Sequence, residues 1–333
     1  MRRTLLVVCS VGFFVLLLCI LGLYLVSPMS SSKDQIKIII EQGETLDSIS
    51  SKLQDYGIIR SAVFMRVSTK LFFPSYSFKS GEYAISQSEP LVNVIRMLAL
   101  GAPRKELTIL IPEGWSIEDM GIYFQQQKIF SKEDFFAATK KDWSSNYPFL
   151  LDSVSPPTLE GFLFPDTYRI FTDATPDDVI RKMLSNFNEK IVEKYRDISQ
   201  EQNIGFRELI TLASIVEREV QSDFDRAIVA DLFLRRIKLD MPLQADSTVN
   251  YITGKKNPQS TFADIAINSP YNTYRIKGLP PGAICNPGLS SIRAVLYPKK
   301  NDYLYFLTTR EGSTILSRTF DEHVKNKIRY LKK

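Results

Sequence analysis

The chain is poor in the residues that most often carry metal and nucleophile chemistry. Its 333 residues include one histidine, His323, and three cysteines. One histidine excludes the multi-histidine zinc sites, and so few cysteines exclude the cysteine-rich ones. Any Ser-His-Asp triad would depend on a residue near the chain end, and His323 reads more readily as a structural hydrogen-bonding residue. Cys9 and Cys19 fall inside an apolar N-terminal run. Only Cys285 lies beyond that run, so no intrachain disulfide can form there, and a lone thiol reads as buried and inert. Charge of one sign is scarce too: 42 Lys and Arg stand against 37 Asp and Glu, a net charge of +5 spread along the chain. No stripe of basic and aromatic residues marks a nucleic-acid surface, and no nucleic-acid partner is expected. What is left is the chemistry of carboxylates, hydroxyls and amides, with no cofactor and no metal implied.

Residues 5–26 form an uncharged run of 22 residues after Arg2 and Arg3. That length spans a bilayer core as a helix. No Ala-x-Ala-like cleavage site follows it, and no small residue precedes Cys9 or Cys19 as a lipobox would require. The paired arginines before the run orient the amino terminus to the cytoplasm. The reading is a single uncleaved anchor on residues 1–28 with an exported remainder of roughly 300 residues, enough for two domains. A cleaved signal peptide is the alternative.

An internal repeat follows. Ile36-Lys-Ile-Ile-Ile-Glu-Gln-Gly43-Glu-Thr-Leu46 recurs at an offset of 71, without a gap, as Leu107-Thr-Ile-Leu-Ile-Pro-Glu-Gly114-Trp-Ser-Ile117. Each copy reads as a strand, a glycine turn and a helix capped by Thr45 or Ser116, with a second short helix beginning near Ser61 or Ser131. Residues 81–85 read as a strand and 90–100 as a helix entered by proline. The run Gln42-Gly-Glu-Thr-Leu-Asp-Ser-Ile-Ser-Ser-Lys-Leu53 resembles the LysM module, which binds N-acetylated cell-wall glycans. Duplication for packing alone is the other reading.

Further along, Thr175-Pro-Asp-Asp opens an amphipathic helix to about Tyr195. Leu209-Ile-Thr-Leu-Ala-Ser-Ile-Val-Glu217-Arg-Glu-Val220 is a second, beginning near Phe206. At 100° per residue Glu217 falls inside its apolar stripe, between Ile210 and Ala213. Arg207, Thr211, Ser214 and Arg218 make the solvent face, and Glu219 lies on a margin that water should reach. An acid among aliphatic groups has a raised pKa, as a general acid near neutral pH requires. A buried Glu paired with an Arg is the competing reading. A helix over 224–238, a glycine- and proline-rich stretch over 241–288, a short helix over 290–297 and a hairpin complete the chain.

Three blocks then stand in order: Ala213-Ser-Ile-Val-Glu217, Leu243-Gln-Ala-Asp246 with Ser247, and Tyr271-Asn-Thr-Tyr274 followed by Gly278-Leu-Pro-Pro-Gly282. With Glu160-Gly-Phe-Leu-Phe-Pro-Asp-Thr-Tyr168, they resemble the MltG (YceG) family of endolytic murein transglycosylases over essentially the whole chain. Ala245 departs from the Thr that many relatives carry. The resemblance implies that Glu217 is the catalytic glutamate. It would protonate the glycosidic oxygen between N-acetylmuramic acid and N-acetylglucosamine, and the C6 hydroxyl would close a 1,6-anhydro ring. Gln244, Asp246, Ser247, Asn272, Thr273 and Tyr274 are candidates for binding sugar hydroxyl and N-acetyl groups, with loop stabilisation as their alternative. Trp115 and Tyr168 read as core or groove structure more than as sugar platforms. The expected fold class is α+β: a single N-terminal transmembrane helix (1–28), a LysM-like α+β region (29–105), and an α+β catalytic domain (106–333) with the second repeat copy at 107–140. Expected partners are peptidoglycan glycan strands, the inner membrane with the catalytic domain on its periplasmic side, and peptidoglycan synthases. Two rivals stay open: a hydrolytic muramidase using Glu217 with Asp246, since an ordinary glycosidase needs two carboxylates, and a non-catalytic glycan-binding scaffold.

Overall fold

The computed structural model describes residues 12–13, 16–17, 19–102, 105–151, 158–255, 260–309 and 311–331. It is a mixed α+β chain with two compact units, residues 1–105 and 106–333. Much of the expected anchor lies outside the described residues. Residues 12–13, 16–17 and 19–26 of it are helical, and among the described residues no helix is long and apolar enough to cross a membrane.

In the first unit β1 (Gln35–Ile40) pairs antiparallel with β2 (Gly81–Ser86), Gln35 opposite Ser86 and Ile40 opposite Gly81. Between them run α1 (Leu46–Asp55) and α2 (Ala62–Phe72), whose first turns are closed by the Thr45 and Ser61 hydroxyls. These hydroxyls accept N–H groups that a helix start leaves unpaired. After β2 comes α3 (Leu91–Leu100), entered at Pro90. Ile38, Ile49, Leu53, Met65, Tyr83, Ile85 and Leu98 close the core of this unit.

The second unit begins with the same order of elements. Strand β3 (Glu106–Leu110) pairs antiparallel with β4 (Thr167–Phe171). Helices α4 (Ile117–Gln126) and α5 (Lys132–Thr139), capped by Ser116 and Ser131, lie between them in the chain. Helix α6 (Pro176–Phe187) follows β4 and carries a capping box of Thr175 and Asp178. Both units thus run β-α-α-β-α. The duplication extends past the repeat read at 107–140, because its second strand and third helix share order but not spacing with the first copy.

The amphipathic helix expected to end near Tyr195 is longer than its periodicity suggests. A π-helical turn at Asn188–Val192 joins α6 to α7 (Glu193–Glu201). Next come α8 (Phe206–Glu219), α9 (Asp223–Lys238), α10 (Asp246–Thr253), α11 (Phe262–Ile265) and α12 (Leu289–Leu296). The hairpin β5 (Tyr305–Thr308) and β6 (Thr314–Ser317) then precedes α13 (Phe320–Leu331). The aromatics of the 159–168 block are core residues: Phe162, Phe164 and Tyr168 are buried, and the Tyr168 hydroxyl donates to the Phe164 carbonyl at 2.5 Å.

Helix α8 is the spine of the unit. All eight residues from Leu209 to Val216 are buried, and each buried Leu, Ile or Val contributes roughly 1.5–3 kcal/mol. The expected solvent face of this helix is therefore corrected at Thr211 and Ser214, which are 3% and 0% exposed. The glycine- and proline-rich stretch covers them. The Ser214 hydroxyl accepts the Ile284 N–H at 3.0 Å and donates to the Thr211 carbonyl at 2.7 Å. Polarity on this face serves a loop, which periodicity cannot tell from water.

Candidate active site

The carboxyl of Glu217, near the end of α8, leaves the aliphatic stripe and meets donors from two other helices. Its side chain is 5% exposed, and Oε1 receives the Arg226 guanidinium of α9 at 2.6 Å. Oε2 receives the Gly288 N–H at 3.0 Å and the Ser291 hydroxyl at 2.8 Å, both from the start of α12. A helix N-terminus adds its own favourable field for negative charge. Arg226 also holds Asp223 at 3.0 Å, and Asp223 takes the Ser290 hydroxyl at 2.6 Å. The expected surrounding of bare aliphatic groups is thus corrected: the stem is apolar, and the carboxyl is fully engaged by donors.

A second carboxyl belongs to the same place. The turn Pro112-Glu113-Gly114, between β3 and α4, lies on Glu217. A Cβ added at Gly114, whose φ is +78°, would stand 3.5 Å from Glu217 Cγ, and one added at Gly288 would overlap the Glu113 carboxyl. Asn286 pins this turn. Its carbonyl accepts the Gly114 N–H and its own N–H donates to the Trp115 carbonyl, each at 2.9 Å. Arg218 donates to the Gly114 carbonyl at 2.9 Å. Burial of the Glu113 carboxyl raises its pKa, the negative charges of Glu217 and Asp223 add to this, and Arg226 opposes it.

Beneath this turn lies Glu160, 3% exposed. Both of its oxygens accept the Ile117 N–H at 3.1 Å, the first N–H of α4, and Oε1 also takes the Asn286 side-chain amide at 2.9 Å. The Asn286 amide oxygen accepts from Gly161 and Leu163 at 3.0 and 2.8 Å. Burial dominates and pushes the Glu160 pKa up to about 8, although these donors oppose it. Cys285, next in sequence to Asn286, is fully buried, its thiol raised well above its ordinary value by burial.

The Asp246 block assembles on the other acid of α8. Glu219, expected in water, turns inward, and its Oε1 accepts the Ser247 N–H at 3.1 Å. Burial raises its pKa, partly offset by Ser247. Two positions apart on a helix, Glu217 and Glu219 point about 200° apart. Asp246 Oδ1 accepts the Tyr274 hydroxyl at 2.9 Å and the Ser260 N–H at 3.2 Å. Burial and the Asp246 charge raise the Tyr274 phenol above its ordinary value. Gln244 is exposed, with φ at +51°, and its N–H donates to the Thr273 carbonyl at 3.0 Å.

A model of the YceG-like family matches residues 38–329. The chain belongs to the YceG-like family. The endolytic murein transglycosylase of Bacillus subtilis (strain 168) is 33% identical over 324 residues, covering 93% of this chain and 89% of that protein. The protein of the same name from Streptococcus pneumoniae serotype 2 is 29% identical over 89% of this chain, which spans 58% of that longer protein. The crystal structure of a yceG-like protein from Listeria monocytogenes aligns with a TM-score of 0.61 at 32% identity, over 89% of this chain and all of that one.

For this YceG-like chain the candidate residues separate by environment. Asn272 and Thr273 are 0% exposed. The Asn272 amide donates to the Ile265 and Ile267 carbonyls at 2.9 and 2.7 Å, and the Thr273 hydroxyl accepts the Ala245 N–H at 3.0 Å. Their side chains hold the loop together. Ser247 is buried at the start of α10. Gln244, Asp246 and Tyr274 retain exposure. Glu113, Glu160, Arg226, Asn286, Gly288 and Ser291 received no role from the sequence. Glu113 carried one usable signal: the repeat has Gln42 in the matching place, so only the second copy has an acid there. His323 sits on α13, its ring stacked on Tyr305 at 5.5 Å.

Proposed function

We propose that this protein is an endolytic murein transglycosylase that cuts peptidoglycan strands between N-acetylmuramic acid and N-acetylglucosamine, with Glu217 as its catalytic carboxyl. The observation that carries the reading is the convergence at Glu217 of α8, α9 and α12, in a chain 33% identical to the Bacillus subtilis transglycosylase. The proton given to the departing oxygen and the proton taken from the C6 hydroxyl can be handled here without a water molecule as reactant, so the product is a 1,6-anhydro end. Gln244, Asp246 and Tyr274 bind sugar at the rim. The apolar N-terminal run anchors the chain in the inner membrane with both units on the periplasmic side, beside the synthases that extend the strands. The first unit binds glycan in the manner of LysM.

Digestion of peptidoglycan by the purified protein in ¹⁸O-labelled water tests the reaction, with the new ends read by mass spectrometry. Unlabelled anhydro ends are expected. Labelled reducing ends would make the protein a hydrolase, and strands bound but uncut would make it a scaffold. Glu217→Gln should retain its fold by circular dichroism and lose at least about 100-fold in cleavage rate, the usual worth of a positioned acid or base.

A further inference from the structure

Glu217 is well placed to take a proton and poorly placed to give one. Both of its oxygens already serve as acceptors, Oε1 of the Arg226 guanidinium and Oε2 of an N–H and a hydroxyl. Its side chain is 5% exposed. The residue beside it differs on each count. Glu113 retains solvent exposure at a turn tip, while its carboxyl lies against Gly288, the residue whose N–H holds Glu217.

The turn that carries Glu113 is fixed rather than free. Asn286 exchanges two main-chain hydrogen bonds with Gly114 and Trp115, and Arg218 holds the Gly114 carbonyl. Gly288 has no Cβ, which leaves the space that the Glu113 carboxyl fills. Of the two repeat copies, the one packed on Glu217 has an acid at this position and the other has an amide, Gln42.

We propose that Glu113 is the proton donor of the reaction and Glu217 the proton acceptor, the two carboxyls sharing one proton. This rests on the transglycosylase reading above and divides its proton chemistry between two residues. As the bond from C1 of the muramic acid to the glycosidic oxygen breaks, that oxygen takes the proton of the Glu113 carboxyl. The C6 hydroxyl oxygen forms a bond to C1, and its proton passes to the Glu217 carboxylate. No water or other reactant is consumed, and the pair ends with the one proton it began with, moved from Glu113 to Glu217. Exchange with solvent returns it. The groups that face Glu113 favour this division: Glu217 and Asp223 oppose its ionisation more than Arg226 promotes it, in addition to the effect of burial.

The test uses the full-length protein in detergent with uncross-linked glycan strands, comparing Glu113→Gln, Glu113→Asp and Glu217→Gln by the rate at which anhydro ends form from pH 4 to 9. Each is also tested on a muramic-acid-terminated glycan carrying a 2,4-dinitrophenyl leaving group at C1, which departs without a proton. Glu113→Gln should lose at least about 100-fold on native strands and its alkaline limb in the pH profile, yet cleave the dinitrophenyl substrate within a few-fold of the unaltered protein. Glu217→Gln should fail on both. Glu113→Asp should keep the shape of the profile at a lower rate, and it decides the matter should the Gln variant unfold. Native-strand activity in Glu113→Gln within threefold of normal, or equal losses on both substrates, would overturn the assignment while leaving Glu217 and the proposed function standing. Activity retained in Glu217→Gln would remove the proposed function itself.

Discussion

Glu160 shows how one residue can tie stability to pH in this protein. Burial lifts its pKa from an ordinary 4.5 to about 8, so the folded chain holds this proton where the unfolded chain releases it. Between those values the folded state binds more protons. Its stability therefore falls as pH rises from about 4.5 to about 8 and changes no further through this group above that. The full shift corresponds to ~5 kcal/mol as an upper bound. Urea midpoints at pH 5 and pH 8 should show the loss, and Glu160→Gln, which cannot ionise, should flatten it. Equal slopes in both proteins would place the dependence elsewhere. Little in residues 159–164 marks this acid, because its partners Ile117 and Asn286 are 43 and 126 positions away. Separations of 71 and 74 positions likewise hide Gly288 and Ser291 from a reading of the Glu217 helix. Periodicity locates a residue on its own helix but is silent about what arrives from elsewhere.

Elements were more legible than the contacts between them. The hydroxyl caps at Thr45, Ser61, Ser116, Ser131 and Thr175 mark helix starts because the signal is local, a side chain and an N–H three residues on. Helix α10 lacks that signal. Its cap position is Ala245, which has no capping side chain, and the missing acceptor comes from Glu219 across to the Ser247 N–H. A carboxylate at this point satisfies one unpaired donor and favours the helix dipole. It also joins α8, which carries Glu217, to the segment that carries Asp246. Glu219→Ala should cost about 1–2 kcal/mol, the range for losing a cap, read as a lower thermal midpoint. Glu219→Gln keeps an acceptor oxygen, and its cleavage rate should stay within a few-fold of normal. A loss in Glu219→Gln as deep as that in Glu217→Gln would show that the second acid of this helix takes part in the chemistry.

At the scale of the whole chain, one duplicated pattern has been put to two uses. Each unit closes its own core, around Ile38, Leu53, Tyr83 and Leu98 in one and around α8 in the other. Among the described residues each core is built from its own unit, so residues 106–333 should fold alone with a single cooperative melt. The two copies differ where chemistry would be expected to separate them: the turn of the second has Glu113 over Glu217, and the turn of the first has Gln42, followed by the LysM-like run to Leu53. If the first unit holds the strand while the second cuts it, joining them raises the local concentration of substrate without altering the cutting step. Residues 106–333 by themselves should then cleave with kcat within a few-fold of the full chain and KM raised by about tenfold or more. Residues 29–105 alone should retain glycan strands in a pull-down. An unchanged KM together with no retention would reduce the first unit to a packing duplicate, and a collapse of kcat on separation would mean that the first unit completes the active site.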